Sequence, residues 1–291
     1  MKVHLVDGTY ELFRYFYAMP SATSLDGHEV GAIRGVLGSM VGLLEGGATH
    51  VGVATDHVIE SFRNDLWPGY KTGEGVDSAL LAQFHPLEDA FVALGVVTWP
   101  MVEFEADDAL GAAALRASAD PGVSQVIVCT PDKDLAQVVD DDRIVQLDRR
   151  SGKVRNEAGV RERFGVGPAS IPDYLALVGD SADGYPGIRG WGEKSAGAVL
   201  GCYGHLEAIP EQARTWDVNV RRADALNAAL REGWENALLF RQLATLRVDT
   251  PTFEKVEDLR WTGPHPSFFQ LCARMDAQQI FNRAMRAAEN R

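Results

Sequence analysis

The chain has 291 residues, 46% of them hydrophobic and 24% charged, which is an ordinary globular composition. Its three cysteines (Cys129, Cys202 and Cys272) are far apart. This spacing argues against a disulfide framework or a Cys-based zinc site, and it favours a reducing cytoplasm. No signal-peptide pattern opens the chain, and no stretch reaches the roughly 18 apolar residues of a membrane span. We therefore expect a cytoplasmic protein without a membrane segment.

The acidic charge is unevenly distributed along the chain. The net charge of −13 argues at first against a nucleic-acid partner. However, residues 1–184 hold 14 Lys and Arg against 28 Asp and Glu, whereas residues 185–291 hold 14 against 13. The excess therefore lies in the first part of the chain. An acidic protein with no special site would show the same totals.

Short apolar runs alternate with helical patterns through the first part of the chain. In chain order they predict a strand at 3–6, helices at 9–19 and 32–45, a strand at 50–55, a helix at 81–94, a strand at 96–102, a helix at 105–118, and strands at 125–129 and 143–147. A polar, Gly-rich excursion covers 61–80, and a hairpin is predicted at Ser151-Gly152. This alternation predicts a parallel α/β sheet with sites at the carboxyl ends of its strands.

From about residue 167 the pattern becomes helical. Helices are predicted at 168–178, 195–203, 218–245 and 266–288. We therefore expect an α/β domain over 1–166, followed by a helical region over 167–291.

Carboxylates follow successive predicted strands: Asp7, Asp56, the group Glu105, Asp107 and Asp108, and the pair Asp132 and Asp134. One Asp after a strand is usually a turn former or a helix cap. Several at one edge of a parallel sheet would repel one another, so that their pKa values rise or a cation binds. Oxygen ligands favour Mg²⁺ or Mn²⁺ over zinc.

Residue spacing supports the same interpretation. Glu105 and Asp108 are three residues apart, which places them on one helical face, and Asp180 and Asp183 repeat this spacing after an apolar helix. The acidic run 140–142 is instead predicted to be a solvated turn.

A Gly-rich connector spans residues 186–196 and contains Gly187, Gly190, Gly192 and Lys194. Glycines permit close approach of a backbone, and the start of a helix offers N–H groups to phosphate. A helix–helix turn without a ligand is the alternative interpretation.

Taken in order, these segments resemble the 5′-nuclease family, which includes the N-terminal domain of bacterial DNA polymerase I and stand-alone flap endonucleases. The resemblance covers residues 1 to about 210. It rests on the following blocks: Leu5-Val6-Asp7-Gly8, Asp56 with Ser61-Phe62-Arg63, Gly69-Tyr70-Lys71, Glu105-Ala106-Asp107-Asp108, Thr130-Pro131-Asp132-Lys133-Asp134-Leu135, Gly179-Asp180-Ser181-Ala182-Asp183, and Gly187 to Ala196.

The resemblance implies a PIN-like core with a helical arch at about 61–95 and a helix–three-turn–helix module at about 174–205. It implies metal ligation by a first set (Asp7, Asp56, Glu105, Asp107 and Asp132) and a second set (Asp108, Asp134, Asp180 and Asp183). Two Mg²⁺ or Mn²⁺ ions would serve hydrolysis, for which Lys71, Asp132 and Asp183 are the expected catalytic residues.

The same resemblance implies contacts with DNA. Arg63 would hold backbone phosphate, Tyr70 would stack on a base, and Lys71 would reach the scissile phosphate. Gly187, Gly190, Gly192 and Lys194 would grip the duplex, with K⁺ bound at the module. The expected partner is DNA with 5′ flaps, nicks or ends, and the expected state is a monomer.

The chain departs from the family pattern at three positions. Glu74 replaces an Arg of polymerase-linked relatives, Gly184 replaces an Asn, and Trp191 replaces an Ile. None of these changes removes an expected metal ligand.

The leading hypothesis is a 5′–3′ exonuclease and flap endonuclease of replication or repair. The alternatives are a catalytically weak nucleic-acid-binding relative, a PIN-type ribonuclease, and a metal-dependent phosphatase. The complete carboxylate set argues against a pure binder, and the Gly-rich connector argues against the ribonuclease.

Overall fold

The computed structural model describes residues 1–290. Its strands are β1 (Lys2–Asp7), β2 (His50–Asp56), β3 (Val97–Met101), β4 (Gln125–Cys129), β5 (Ile144–Asp148) and β6 (Lys153–Arg155). Its α-helices are α1 (Gly8–Ala18), α2 (Gly31–Glu45), α3 (Arg63–Leu66), α4 (Ser78–Leu81), α5 (Phe84–Leu94), α6 (Ala106–Ser118), α7 (Glu157–Phe164), α8 (Ile171–Val178), α9 (Glu193–Tyr203), α10 (Ala223–Glu232), α11 (Trp234–Ala244), α12 (Ser267–Arg274) and α13 (Gln278–Glu289).

The chain forms two compact units. The first comprises residues 1–59, 73–130 and 248–290, and the second comprises 60–72 and 131–247. These units differ from a simple division at residue 166. The C-terminal helix α13 packs on α2, where Arg283 pairs with Glu45 at 2.7 Å, and this packing places the end of the chain in the first unit.

The first unit is built on four parallel strands in the order β3-β2-β1-β4. Leu5, Val53 and Val126 are fully buried, as expected for parallel strands covered by helices on both faces. Because the strands are parallel, the carboxyl ends of β1 and β2 lie side by side, with Asp7 paired in register with Ala54. The sheet thus brings the first-unit acids to one edge.

The second unit combines the antiparallel hairpin β5-β6 with helices α7 to α11. Its core includes Tyr174, Tyr185, Trp191 and Phe240, all less than a tenth exposed. The predicted fold class, a mostly parallel α/β sheet flanked by helices with a helical C-terminal region, is confirmed. Within residues 1–290, no helix is both long and apolar enough to cross a membrane.

Two of the predicted helices are wrong in their extent. The span 218–245 contains two helices, α10 and α11, that meet at Gly233, and its first residues are not helical. The span 266–288 is divided between α12 and α13, where Asp276 takes a positive φ of 50°. Helix α7 was not predicted. Its capping residue Asn156 accepts a hydrogen bond from the backbone of Gly159, which is a local signal for a helix start.

Candidate active site

In the first unit, Asp7 ends β1 and begins helix α1. Its Oδ1 accepts a hydrogen bond from the backbone N–H of Tyr10 at 2.8 Å, which satisfies one of the free donors at the helix start. Its Oδ2 accepts from the hydroxyl of Thr130 at 3.0 Å. Asp7 is 6% exposed, so both oxygens are held by the protein in a largely buried position.

The other first-unit acids also contact the start of a helix. Asp56 accepts from the backbone N–H of Ala106 at 2.8 Å, and Asp108 accepts from that of Glu105 at 3.0 Å within a capping box. Glu105 and Asp108 are buried, whereas Asp107 is partly exposed. These acids alone form no group of three metal-competent ligands among residues 1–290. Their role as metal ligands therefore stays a prediction.

In the second unit, three carboxylates converge. Asp134, Asp180 and Asp183 each offer an oxygen within 4.8 Å of the others. Asp134 begins the 3₁₀ turn Asp134–Val138, and Asp180 follows helix α8. A backbone bridge between Asp180 and Tyr185 closes the loop that carries Asp183. Three separate local structures thus place the acids together.

Asp134 carries its carboxylate in an electrostatically unfavourable environment. Its Oδ1 is buried and has no hydrogen-bond partner among residues 1–290. Burial, and then the negative charges of Asp132, Asp183 and Asp180, raise the pKa of Asp134 well above its usual range. Asp132 itself is exposed and lies outside the three-carboxylate group, where it accepts from the backbone N–H of Asp134 at 2.8 Å.

Two lysines offset part of this negative charge. Lys71 Nζ lies 3.1 Å from Asp183, and Lys133 is ion-paired with Asp180. Burial alone would lower the pKa of Lys133, but the hydrogen bond and charge of Asp180, followed by Asp134 and Asp132, raise it. No role was predicted for Lys133 from the sequence, although its position between two candidate ligands was a usable signal.

Tyr185 was also missed. Its hydroxyl is buried with no hydrogen-bond partner in the described chain, and its ring stacks on Phe240 at 5.6 Å. Burial, followed by the charges of Asp134, Asp183 and Asp180, raises the pKa of Tyr185. The three carboxylates offer only oxygen donors, and Oδ1 of Asp134 is buried without a partner in the described chain. Such a donor set fits a hard divalent cation. The second-unit acids therefore suit a metal ion.

The structure argues against the predicted DNA contacts of Arg63 and Tyr70. Arg63 is 2% exposed, and its guanidinium donates to the carbonyls of Leu243 at 2.8 Å and Thr245 at 3.1 Å. Tyr70 is 3% exposed and belongs to the core of the second unit. A guanidinium needs exposure to reach phosphate, and a ring needs it to stack on a base. These side chains instead fix the segment that presents Lys71.

The connector glycines differ from one another. Gly187 has a φ of 68°, and a Cβ there would lie 2.4 Å from the backbone nitrogen of Gly179, so this glycine serves close packing. Gly190, with a φ of 86°, would place a Cβ no nearer than 3.8 Å to Leu226, and Gly192 faces open space. Lys194 is exposed. The packing thus explains why position 187 is a glycine. Gly190 and Lys194 are exposed and Gly192 is half-buried, and DNA contact by these four residues stays a prediction.

The fold and these acids define the chain as an α/β protein with an acidic, metal-competent site. The chain belongs to the 5′–3′ exonuclease family. Residues 2–165 match the model of the N-terminal resolvase-like domain of 5′–3′ exonucleases, and residues 166–267 match that of the C-terminal SAM fold.

Curated relatives include DNA polymerase I of Pseudomonas aeruginosa, which is 36% identical over 88% of this chain and 28% of its own length. DNA polymerase I of Mycobacterium leprae is 33% identical over 88% of this chain and 28% of its own length. This chain therefore spans under a third of the length of these relatives.

Solved structures share the fold along nearly the whole chain. Phage T5 5′-exonuclease with bound zinc has a TM-score of 0.66 at 18% identity, covering 99% of this chain and 100% of that chain. Flap endonuclease-1 from Methanococcus jannaschii has a TM-score of 0.61 at 12% identity, covering 99% and 93%.

Proposed function

We propose that this chain is a structure-specific 5′ nuclease that hydrolyses the phosphodiester backbone of DNA. It would act as a 5′–3′ exonuclease and flap endonuclease in replication or repair, in the cytoplasm and as a monomer. The observation that carries the proposal is the group Asp134, Asp180 and Asp183 in a chain that matches both domains of the exonuclease family. A structural neighbour, the catalytic core of Rad2, was crystallised with a DNA substrate, which supports the substrate class.

The proposed cofactor is Mg²⁺ or Mn²⁺. Asp134, Asp180 and Asp183 would hold it, because their oxygens converge and one of them lacks a partner. Further ligands, directly or through water, would be Asp7, Asp56, Glu105, Asp107, Asp108 and Asp132. Two bound ions would supply a water of lowered pKa and stabilise charge on the leaving 3′ oxygen, which gives 5′-phosphate and 3′-hydroxyl products.

Lys71 would hold the scissile phosphate. In the structure its ammonium pairs with Asp183 at 3.1 Å and its side chain is 26% exposed, so it lies where the acid group meets solvent. Arrival of phosphate would let the ammonium divide its hydrogen bonds between substrate and Asp183. Lys133 would hold the carboxylate of Asp180 in place through their ion pair, and Asp132 would fix the turn that begins at Asp134.

The connector would bind duplex backbone without reading sequence. No neighbouring atom crowds the side-chain positions of Gly190 and Gly192, and Lys194 adds a positive charge at the start of helix α9. A K⁺ ion at this module, and a helical arch at about 61–95 that admits a 5′ single strand, belong to the same proposal.

One experiment tests the proposal directly. The protein is incubated with a 5′-flap DNA, a nicked duplex and a matched RNA, each in Mg²⁺, Mn²⁺ or EDTA, and products are resolved on a denaturing gel. We expect metal-dependent cleavage of DNA near the flap junction and from 5′ ends. Absence of cleavage of any DNA would overturn the proposal, and preferential cleavage of RNA would support a PIN-type ribonuclease instead.

The nearest alternative is a binding protein that has lost turnover. It predicts tight flap binding with no products at any metal concentration. The buried oxygen of Asp134 argues against this alternative, because an unpartnered and repelling carboxylate destabilises a protein that gains nothing from a metal.

A further inference from the structure

Two glutamines contact the backbone of the turn that carries Asp132 and Asp134. The amide of Gln146, on strand β5, donates from Nε2 to the backbone carbonyl oxygen of Asp132 at 2.6 Å. The amide of Gln137 donates from Nε2 to the backbone carbonyl oxygen of Asp134 at 2.8 Å. Each glutamine thus binds the peptide backbone of an acid and leaves its carboxylate to other partners.

The orientation of the Gln146 amide is set by a charged neighbour. Gln146 lies directly opposite Arg155 in the β5-β6 hairpin, and its Oε1 accepts from Nη1 of Arg155 at 3.0 Å. Because a guanidinium can only donate, the amide oxygen must face Arg155, and the amide NH₂ must face the carbonyl of Asp132. Gln146 is 1% exposed, so solvent has little access to either hydrogen bond.

Gln137 connects the same turn to a distant part of the second unit. Its Nε2 also donates to the carbonyl oxygen of Ala244, the last residue of α11, at 3.0 Å. Its Oε1 accepts from the backbone N–H of Leu246 at 3.1 Å. The turn is therefore tied both to the β5-β6 hairpin and to the end of α11.

The uncharged nature of these anchors matters for the acids. Asp134 offers an oxygen within 4.8 Å of oxygens from Asp180 and Asp183, and like charges at this range favour movement of the turn away from them. A cationic anchor such as Lys133 offsets the repulsion but occupies a carboxylate, for which a divalent ion must then compete. A neutral amide on the backbone restrains the turn and leaves the carboxylate charge available.

We propose that Gln146 is a positioning residue for the metal site, oriented by Arg155 and assisted by Gln137. By holding the carbonyl of Asp132 it keeps the turn, and with it Asp134, beside the other two acids, where a divalent cation offsets their repulsion. The inference rests on the proposed function, because that function supplies the Mg²⁺ or Mn²⁺ ion. Residues that orient metal ligands typically contribute about 10- to 100-fold in metal affinity or activity.

Binding of Mn²⁺ to the full chain without DNA tests this role apart from cleavage. Electron paramagnetic resonance measures free Mn²⁺ during titration of the wild type and of Gln146→Met, which keeps the side-chain length and removes both hydrogen bonds. We expect about 10-fold weaker Mn²⁺ binding in the variant. In flap-cleavage assays the half-saturating Mn²⁺ concentration should rise by the same factor. The rate at saturating Mn²⁺ should fall much less, because excess ion draws the turn into place.

Variants of Arg155 distinguish positioning from a purely electrostatic effect. Arg155 lines a pocket of about 460 Å³ together with Asp132 and Asp180. If it acted only through its charge, Arg155→Met would remove a charge of the same sign as the ion and tighten Mn²⁺ binding. Positioning predicts weaker Mn²⁺ binding in Arg155→Met and near-wild-type binding in Arg155→Lys, which keeps a donor for Gln146. Unchanged or tighter binding in Arg155→Met would overturn the role assigned to Arg155.

Gln83→Met is the matched control for the loss of a buried glutamine. Gln83 is fully buried in the first unit, where it donates to the carbonyl of Ala79 at 3.0 Å and accepts from the backbone N–H of Ile33 at 3.3 Å. Its replacement therefore also removes two hydrogen bonds. Urea titration compares the stability of the two variants, and only Gln146→Met should bind Mn²⁺ more weakly. Weaker binding in both would indicate a general effect of destabilisation and overturn the inference.

The outcomes separate this inference from the proposed function. If the wild type binds no Mn²⁺ and cuts no DNA, both fail. If it binds Mn²⁺ but cuts no DNA, the proposed function fails, and the Mn²⁺ affinities still decide the inference. If it does both while folded Gln146→Met has unchanged Mn²⁺ affinity, the inference alone is overturned. Should Gln146→Met not fold, Gln137→Met and Arg155→Met replace it, and unchanged affinity in both overturns the inference.

Discussion

The acids of the first unit and those of the second unit carry the same charge but are held differently. Asp7, Asp56 and Asp108 accept hydrogen bonds from backbone N–H groups at the starts of helices. Asp134 has a buried oxygen without a partner, beside Asp180 and Asp183. The first arrangement stabilises the fold, whereas the second destabilises it until a cation or a proton arrives.

This difference shows that acids in similar sequence patterns can have different structural roles. An acid at a strand end satisfies helix donors in one unit, and in the other an acid of the same type is left to repel its neighbours. Acids that accept hydrogen bonds from helix starts and acids that repel one another therefore have opposite consequences for stability, and substitution can tell them apart.

The largest expected effect is a loss of cleavage activity in the Asp183→Asn variant. Loss of one carboxylate charge from the three-carboxylate group should slow flap cleavage at least about 100-fold, which is roughly 2.7 kcal/mol of transition-state stabilisation. Single-turnover gels measure the rate, and binding in EDTA should be retained. Asp141→Asn, in the exposed turn, is the matched control. A rate within twofold of wild type would contradict the ligand assignment.

The next effect is on folding stability, in Asp108→Ala. This substitution leaves the buried N–H of Glu105 without the carboxylate that now accepts from it at 3.0 Å. We expect a loss of about 1–3 kcal/mol in the free energy of unfolding, measured by urea titration without metal. Asp183→Asn should cause no comparable loss, because it relieves repulsion with Asp134 and weakens only the partly exposed ion pair with Lys71. Equal destabilisation by both variants would show that the acids of the two units contribute to stability in the same way.

A smaller effect is expected in the pH dependence of stability without metal. The pKa of Asp134 is raised in the folded state, so the folded protein binds this proton more readily than the unfolded chain. Stability from this group is therefore present at low pH and is lost as pH rises from about 4, its unfolded value, through the folded pKa. Wild type should fall increasingly below Asp134→Asn in melting temperature as pH rises.

Millimolar Mg²⁺ supplies the control for that titration. It should raise the melting temperature of wild type at pH 8 far more than that of Asp134→Asn, because the ion binds the ionised carboxylate. A constant difference in melting temperature between the two proteins from pH 4 to pH 8 would contradict repulsion between Asp134 and its neighbouring carboxylates.

Much of the fold was predictable because local signals were strong. Short apolar runs followed by acids located β1 and β2 to within a residue or two, and the strand Gln125–Cys129 was predicted without error. The break at Gly233 was missed because helical periodicity continues on both sides of it. A break inside a continuous apolar pattern depends on how the flanking helices pack.

Part of the predicted acid set lies together in the structure, while the ligand role of these acids stays a prediction. The position of Asp134 after a predicted strand and the spacing of Asp180 and Asp183 singled out three acids that the fold brings together. The burial of Arg63 and Tyr70 was not predictable, because it arises from contacts with residues far along the chain, such as Leu243, 180 positions from Arg63. A basic-aromatic segment looks the same in sequence whether it faces DNA or a core.

Gly184, the departure from the family Asn, has a consequence for sequence evolution. Its φ is 83°, and a Cβ there would lie 2.0 Å from the carbonyl oxygen of Gly69. The indole N–H of Trp67 donates to the carbonyl oxygen of Gly184 at 3.1 Å. The backbone N–H of Lys71 donates to the carbonyl oxygen of Asp183 at 3.0 Å. Positions 69 and 184 are therefore coupled. A lineage that acquires a side chain at 184 must therefore also move the backbone segment that delivers Lys71.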